Sequence, residues 1–161
     1  MSVNRYQPHV WVLPVDDANR QIANGFVLDP NVQNYRIQVL DVVDGWNEVI
    51  KRFLSDHVAG MEKYETRYMI LVLDLDDRLE RLEQVIERVP GHLTGRVFIL
   101  RALSEPEDLK PDLGSYETIG LAMARDCREQ TATTWGHDLL RHNQGELERL
   151  RQIVVPFLFE H

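Results

Sequence analysis

Four short apolar runs rich in β-branched residues constrain the fold of this chain more than any other feature of its sequence. Each has the length and composition of a β-strand, and they cover residues 9–15, 36–43, 68–73 and 96–103. The third run, YMILVL, is continuously apolar rather than alternating with polar residues. Such a strand is typical of a parallel sheet with helices on both faces. The third run is therefore predicted to be central.

Helical patterns lie between and after these runs. The first covers residues 18–24, with Asp16 or Asp17 as its cap and Gly25 as its stop. The others are 46–57 after Gly45, 79–89 with a capping box of Asp77 and Glu80, 115–130, and 143–154 before a stop at Pro156. Because strands that alternate with single helices pair in parallel, the predicted fold is α/β, a parallel four-stranded doubly wound sheet with a C-terminal helical extension. We expect residues 1–161 to form a single domain, with an α/β core at 8–108 and C-terminal helices at 115–158 packed on it.

Charge and cysteine content narrow the functional classes. The chain has 26 Asp and Glu against 18 Lys and Arg, a net charge of −8, which disfavours a purely electrostatic grip on a phosphate backbone. Contact with nucleic acid would then need metal ions or a basic partner protein. The single cysteine, Cys127, excludes an internal disulfide framework and a cysteine-based zinc site. Since no apolar run approaches the roughly 20 residues of a membrane span and no secretory signal is visible, we expect a cytoplasmic protein without membrane association.

Acidic residues follow every predicted strand. They are Asp16 and Asp17 after the first, Asp44 after the second, Asp74, Asp76 and Asp77 after the third, and Glu105, Glu107 and Asp108 after the fourth. In open parallel sheets, ligands bind beyond the carboxyl ends of the strands, so these carboxylates are predicted to collect at the functional edge. Two alternatives stay open: Asp77 is favoured as a helix cap, and residues 104–108 could form a solvated acidic loop.

Asp74 and Asp76 are the strongest candidate metal ligands. In an extended backbone, side chains two residues apart leave the same face about 6.6–7 Å from each other. Mg²⁺ prefers oxygen ligands and is usually held by one or two carboxylates together with water and phosphate. Because Asp is disfavoured in strands, two of them directly after an apolar strand predict a metal site, which Asp16 or Asp17 would complete.

This pattern resembles the Toprim domain, which is shared by topoisomerases, primases, small recombination-associated nucleases and the overcoming-lysogenization-defect nucleases. The resemblance spans residues 8–108 and is carried by VWVLPVDDANRQIANGF at the first strand and helix and by LVLDLDDR at the third strand. It implies a Mg²⁺ or Mn²⁺ site at Asp74 and Asp76, and Glu105 and Glu107 as ligands of a second ion. It also implies that the acid after the first strand, here Asp16 or Asp17, acts as the catalytic acid/base or as a metal ligand.

Toprim domains usually carry glutamate at the end of the first strand, where this chain has Val15, Asp16 and Asp17. The sequence predicts a Mg²⁺-dependent, Toprim-like protein that acts on phosphodiesters, as a nuclease or a nuclease subunit. Two other functions stay open: a catalytically inactive Toprim-like module that binds or regulates within a larger complex, favoured by the missing glutamate, and a phosphatase-like hydrolase of small phosphate esters. The predicted partners are nucleic acid, a basic protein, and a second copy of the chain in a homodimer.

Overall fold

Parallel pairing joins the strands into one sheet. The computed structural model describes residues 3–75, 78–102 and 106–159. Its strands are β1 (His9–Pro14), β2 (Ile37–Val39), β3 (Arg67–Asp74) and β4 (Val97–Ala102), arranged in the order β2-β1-β3-β4. All three pairings are parallel. The predicted α/β class with a four-stranded parallel sheet is therefore confirmed.

Helices follow each strand. They are α1 (Asp17–Val27), α2 (Trp46–Arg52), α3 (Val58–Lys63), α4 (Leu79–Arg88), α5 (Lys110–Leu113), α6 (Tyr116–Glu129), α7 (Gln144–Ile153) and α8 (Val155–Leu158). A π-helical segment, Phe53–His57, joins α2 to α3. Short 3-10 turns cover Asn34–Arg36, Gly91–Arg96, Pro106–Leu109 and Arg141–Asn143. Within the described ranges, no helix combines the length and the apolar character that crossing a membrane requires.

Each face of the sheet is buried beneath its own set of helices. On one side, which we call the α1 face, Val10, Val12, Ile70 and Phe98 pack with residues of α1, α6, α7 and α8. On the other, the α2 face, Leu13, Met69, Leu71 and Val97 pack with residues of α2, the π segment, α3 and α4. Because side chains alternate between the faces of a strand, burial on both sides explains why β3 is continuously apolar.

Gly25 does not end the first helix, and the predicted stop there is wrong. The helix continues to Val27 because Gly25 and Gly120 lie where α1 crosses α6. A Cβ atom on Gly25 would overlap the carbonyl group of Glu117, and one on Gly120 would overlap that of Ile22. Gly25 thus serves close packing between two helices rather than a change of chain direction.

The predicted stop of the C-terminal helix before Pro156 is confirmed, since α7 ends at Ile153. Pro156 lies in the first turn of the next helix, α8, where a residue without a backbone N–H leaves no helical hydrogen bond unmade. The predicted helix at 46–57 also runs further, through the π segment to Lys63. The second strand is shorter than predicted, although Leu40 N and Val43 N still donate to Val12 O and Pro14 O of β1. Asp77 lies outside the described residues, and Arg78 at the N-cap of α4 makes no side-chain capping bond.

Helix α7 covers the outer edge of β4. Asn143, at the N-cap of α7, makes no capping bond; its Nδ2 donates to Arg101 O over 2.6 Å and its Oδ1 accepts from Arg101 N over 3.0 Å. Glu146 Oε2 accepts from Ile99 N over 2.7 Å. These bonds use the outward backbone groups of β4, so a further strand cannot pair there without displacing α7.

The crossing of α1 and α6 predicts a large effect for one added methyl group. The Gly120→Ala substitution should lower the free energy of unfolding by about 3 kcal/mol, because the methyl group must force two helix backbones apart. Gly145→Ala is the matched control, since Gly145 lies exposed in α7 with open space around it and the change should be neutral or stabilising. Urea denaturation of both variants measures the difference; equal stabilities would contradict the close crossing.

Candidate functional site

The sheet changes winding direction between its two central strands. From β1 the chain proceeds to β2 on one side, whereas from β3 it proceeds to β4 on the other. In open α/β sheets, the crevice at the carboxyl ends of two such strands is the common ligand site. Two acidic residues lie at this point of the sheet. Asp16 is the N-cap of α1, which follows β1, and Asp74 is the last residue of β3.

The register brings Asp16 and Asp74 together. Pro14 is paired with Val72, and Val15 N donates to Val72 O over 3.0 Å, so the same register places Asp16 beside Asp74. The backbone of Asp16 is still extended, with φ −153° and ψ 175°. Adjacent strands lie about 4.8 Å apart, which is close enough for two carboxylates to share one cation.

Both carboxylates belong to the α1 face. Leu73 and Leu75 pack into the core of the α2 face, as does Val15, so the alternation assigns Asp74 and Asp16 to the opposite side. Both residues are half-buried. Below them on that face lies an apolar cavity of about 100 Å³, lined among others by Ile22, Val72 and Met123.

Asp16 is the cap of α1. Its Oδ1 accepts from Asn19 N over 2.8 Å, which satisfies one of the unpaired N–H groups at the start of the helix. Its Oδ2 accepts no hydrogen bond from any residue that the structure describes. One oxygen of Asp16 therefore serves the fold, and the other is available to a ligand.

Asp17 uses both oxygens within its own helix. Its Oδ1 accepts from Arg20 Nε over 2.9 Å, and its Oδ2 accepts from Gln21 Nε2 over 2.7 Å. The hydrogen bond from Arg20, followed by that from Gln21, lowers the pKa of Asp17, so this carboxyl is ionised at neutral pH. Of the two acids predicted after the first strand, Asp16 is thus the better ligand.

Of the other predicted ligands, only Glu107 lies in the described part of the chain. Asp76 and Glu105 lie outside the described residues, and Glu107 is exposed in the turn Pro106–Leu109. Within residues 3–75, 78–102 and 106–159, no group of three or more His, Cys, Asp or Glu side chains is close enough to hold a metal ion. The described donor set is therefore two carboxylates, which matches the small number of protein ligands that Mg²⁺ usually takes.

Cys127 takes no part in this edge. It is buried in the core of the α1 face, and burial raises the pKa of its thiol to about 12. A thiol with that pKa stays protonated at neutral pH and is a poor nucleophile.

Comparison of the chain with family models, curated proteins and solved structures gave no match, so the chemistry of the site follows from its residues alone.

Sequence reasoning missed a second polar group of side chains at the other end of the sheet. There Arg67, 6% exposed, lies beside the fully buried His9, and Arg67 Nε donates to His9 Nε2 over 3.0 Å. The available signal was a basic residue at or just before the start of all four predicted strands, at His9, Arg36, Arg67 and Arg96. This signal predicts a cluster only once the strand order is known, because the order β2-β1-β3 makes Arg36, His9 and Arg67 neighbours.

The two roles of Asp16 can be separated by substitution. Asp16→Ala should lower the free energy of unfolding by about 1 kcal/mol because the cap of α1 is lost, whereas Asp16→Asn should leave stability nearly unchanged because asparagine caps equally well. Urea denaturation without metal ions measures both. If the asparagine variant is as unstable as the alanine variant, the carboxylate acts through its charge and not as a cap.

Proposed function

We propose that this chain is a Mg²⁺-dependent, Toprim-like protein with a doubly wound sheet that acts on phosphodiesters, as a nuclease or a nuclease subunit. The observation that carries the proposal is the register of β1 and β3, which pairs Pro14 with Val72 and, continued by two residues, sets Asp16 beside Asp74 at the winding switch. Carboxylate oxygens are the ligands that Mg²⁺ prefers, and one or two of them together with water and phosphate form its usual site in proteins.

The described residues divide the work between them. Asp74 and the Oδ2 atom of Asp16 would hold the ion, while the Oδ1 atom of Asp16 keeps the first turn of α1 in place. A bound Mg²⁺ supplies Lewis-acid polarisation of a phosphoryl oxygen and lowers the pKa of bound water. Asp17 would not take part, because its oxygens are held by Arg20 and Gln21.

A catalytically inactive binding or regulatory module is the second candidate. Val15, the first of the three residues where Toprim domains usually carry glutamate, is 3% exposed in the core of the α2 face. Both oxygens of Asp17 and one oxygen of Asp16 are already hydrogen-bonded. These engagements leave few free carboxylate oxygens to act as a base, which favours binding without turnover.

The first test is metal binding by calorimetry at neutral pH. Mn²⁺ or Mg²⁺ should bind the wild-type chain, and Asp74→Asn and Asp16→Asn should each weaken binding about tenfold or more, because each removes one anionic ligand. Asp138→Asn is the matched control, since Asp138 is exposed and paired with Arg141 in the C-terminal region. Unchanged affinity in Asp74→Asn would refute the site.

Activity then separates the candidates. Mn²⁺-dependent cleavage of single- or double-stranded DNA or RNA that disappears in Asp74→Asn supports the nuclease. Metal binding without cleavage supports the inactive module. Turnover of a chromogenic phosphomonoester without cleavage of nucleic acid supports the phosphatase-like alternative.

A further inference from the structure

Basic side chains gather at the amino ends of the strands, opposite the acidic pair. His9 is paired with Arg67, and the pairing of Val10 with Ile37 places Arg36 on the other side of His9. Arg67 and Asp74 bound the same strand, and seven steps of a strand span about 23 Å. We call the group formed by Arg5, His9, Arg36, Lys63 and Arg67 the cationic edge.

Arg67 is a buried cation without a carboxylate partner. Its guanidinium lies 3.7 Å from the centroid of the Trp11 ring. His9 Nδ1 donates to Gln7 O over 2.8 Å, which leaves Nε2 as the acceptor for Arg67 Nε. No carboxylate of the described residues forms an ion pair with Arg67, and none accepts from its two terminal nitrogens. The aromatic ring offsets part of the cost of burying this charge, and a counter-ion at the terminal nitrogens would offset more of it.

Three cations converge on one aromatic ring. The charged groups of Arg5, Lys63 and Arg67 lie 5.5, 5.4 and 5.0 Å from the centroid of the Tyr64 ring. Arg5 Nη1 also donates to the Tyr64 hydroxyl over 3.1 Å. Arg96 fixes the turn that carries Tyr64, since it donates to the backbone carbonyls of Met61, Tyr64 and Arg67.

The acids of this region do not neutralise the cationic edge. Glu62 faces His92 at 3.1 Å, and Asp56 faces Arg52 at 3.3 Å. Glu65 is exposed and forms no ion pair with any described residue. Burial, followed by the charge of Arg5, lowers the pKa of Arg67, whereas Tyr64 acts in the opposite direction. The local charge is therefore positive in a chain whose net charge is −8.

Two further features point to a missing acceptor. Trp11 Nε1 and Arg36 Nε are buried donors with no hydrogen-bond partner in the described part of the chain. Buried donors are almost always paired, and a water molecule or an anion would satisfy each of these two. Gly60 lets the guanidinium pack closely against the α3 backbone, since a Cβ atom there would lie only 2.7 Å from Arg67 Nη1.

We propose that the cationic edge is a second ligand site, which binds a phosphate-type oxyanion on the terminal nitrogens of Arg67 between Arg5 and Lys63. A planar guanidinium held in place on an aromatic ring suits bidentate binding of a tetrahedral oxyanion. The two flanking cations match a ligand that carries more than one negative oxygen. The oxyanion is a free phosphate or a phosphodiester of a nucleic-acid strand, and both share this chemistry. The site does not depend on the acidic pair or on a divalent ion.

The test is a titration of the full chain with inorganic phosphate in the presence of EDTA, in which NMR spectra are recorded at each phosphate concentration. We expect saturable shifts of the Arg67 Nε–H signal and of the Tyr64 amide, while signals near Asp16 and Asp74 stay in place. EDTA makes the result independent of the divalent-ion site, so failure of one proposal does not affect the other. Absence of saturable shifts at Arg67 and Tyr64 would overturn the proposal.

Charge-matched variants show whether the cationic edge is responsible. The exposed pair Arg5→Gln/Lys63→Gln should weaken phosphate binding at least about fivefold. The control pair Arg125→Gln/Arg141→Gln removes the same charge from exposed, ion-paired positions and should leave affinity unchanged. Equal losses of phosphate affinity in the two double variants would mean that only net charge matters and would refute the site. The comparison needs no substitution of the buried Arg67.

A parallel titration with a short single-stranded oligothymidylate distinguishes the two sources of the oxyanion. Tighter binding of the oligonucleotide than of phosphate, with the same signals shifted, assigns the site to a phosphodiester backbone. Binding of phosphate alone assigns it to a free anion.

Discussion

The six-residue parallel ladder between β1 and β3 is the constraint on which the rest of the structure depends. It runs from His9 paired with Arg67 to Pro14 paired with Val72. The same register creates both polar ends of the sheet: Arg67 beside His9 where the strands begin, and Asp74 beside Asp16 where they end. A slip of one residue would transfer every side chain of one strand to the other face, exposing a core and separating both pairs. Burial on both faces of β3 makes such a slip very unfavourable.

The net charge of the chain does not reveal that the β1–β3 ladder places acidic and basic side chains at opposite ends of the sheet. Carboxylates collect at the carboxyl ends of the strands, whereas unpaired cations collect at the amino ends around Tyr64. The value of −8 therefore describes neither end. A polyanion that meets this molecule encounters a repelling edge and an attracting one about 23 Å apart. The net negative charge disfavours contact between a phosphate backbone and the acidic edge, but it does not disfavour contact with the cationic edge.

Local sequence signals predicted the elements well where each signal depends on neighbours along the chain. The continuous run YMILVL became the central strand β3, and Ser115 caps α6 through Thr118 N. The failures occurred where a contact distant in sequence decides the role of a residue. Gly25 follows a predicted helix as a stop signal would, but its role is decided by α6, which packs against it.

The candidate site likewise has parts that local sequence signals predict and parts that depend on distant contacts. The acids at the ends of the first and third strands could be identified from the sequence, since strand ends are local features. That Asp16 rather than Asp17 has a free oxygen depends on how the first turn of α1 uses its side chains, which the sequence alone leaves open. The cationic edge could not be predicted, because Arg36, His9 and Arg67 become neighbours only through the strand order β2-β1-β3.

The most direct test of the account is the position of a bound divalent ion, measured by paramagnetic broadening of amide signals with substoichiometric Mn²⁺. The account predicts that the strongest broadening centres on the residues around Asp16 and Asp74 together, and that the signals around Tyr64 remain sharp. Broadening that is uniform over acidic surface residues, or centred on residues away from the β1–β3 switch, would contradict it.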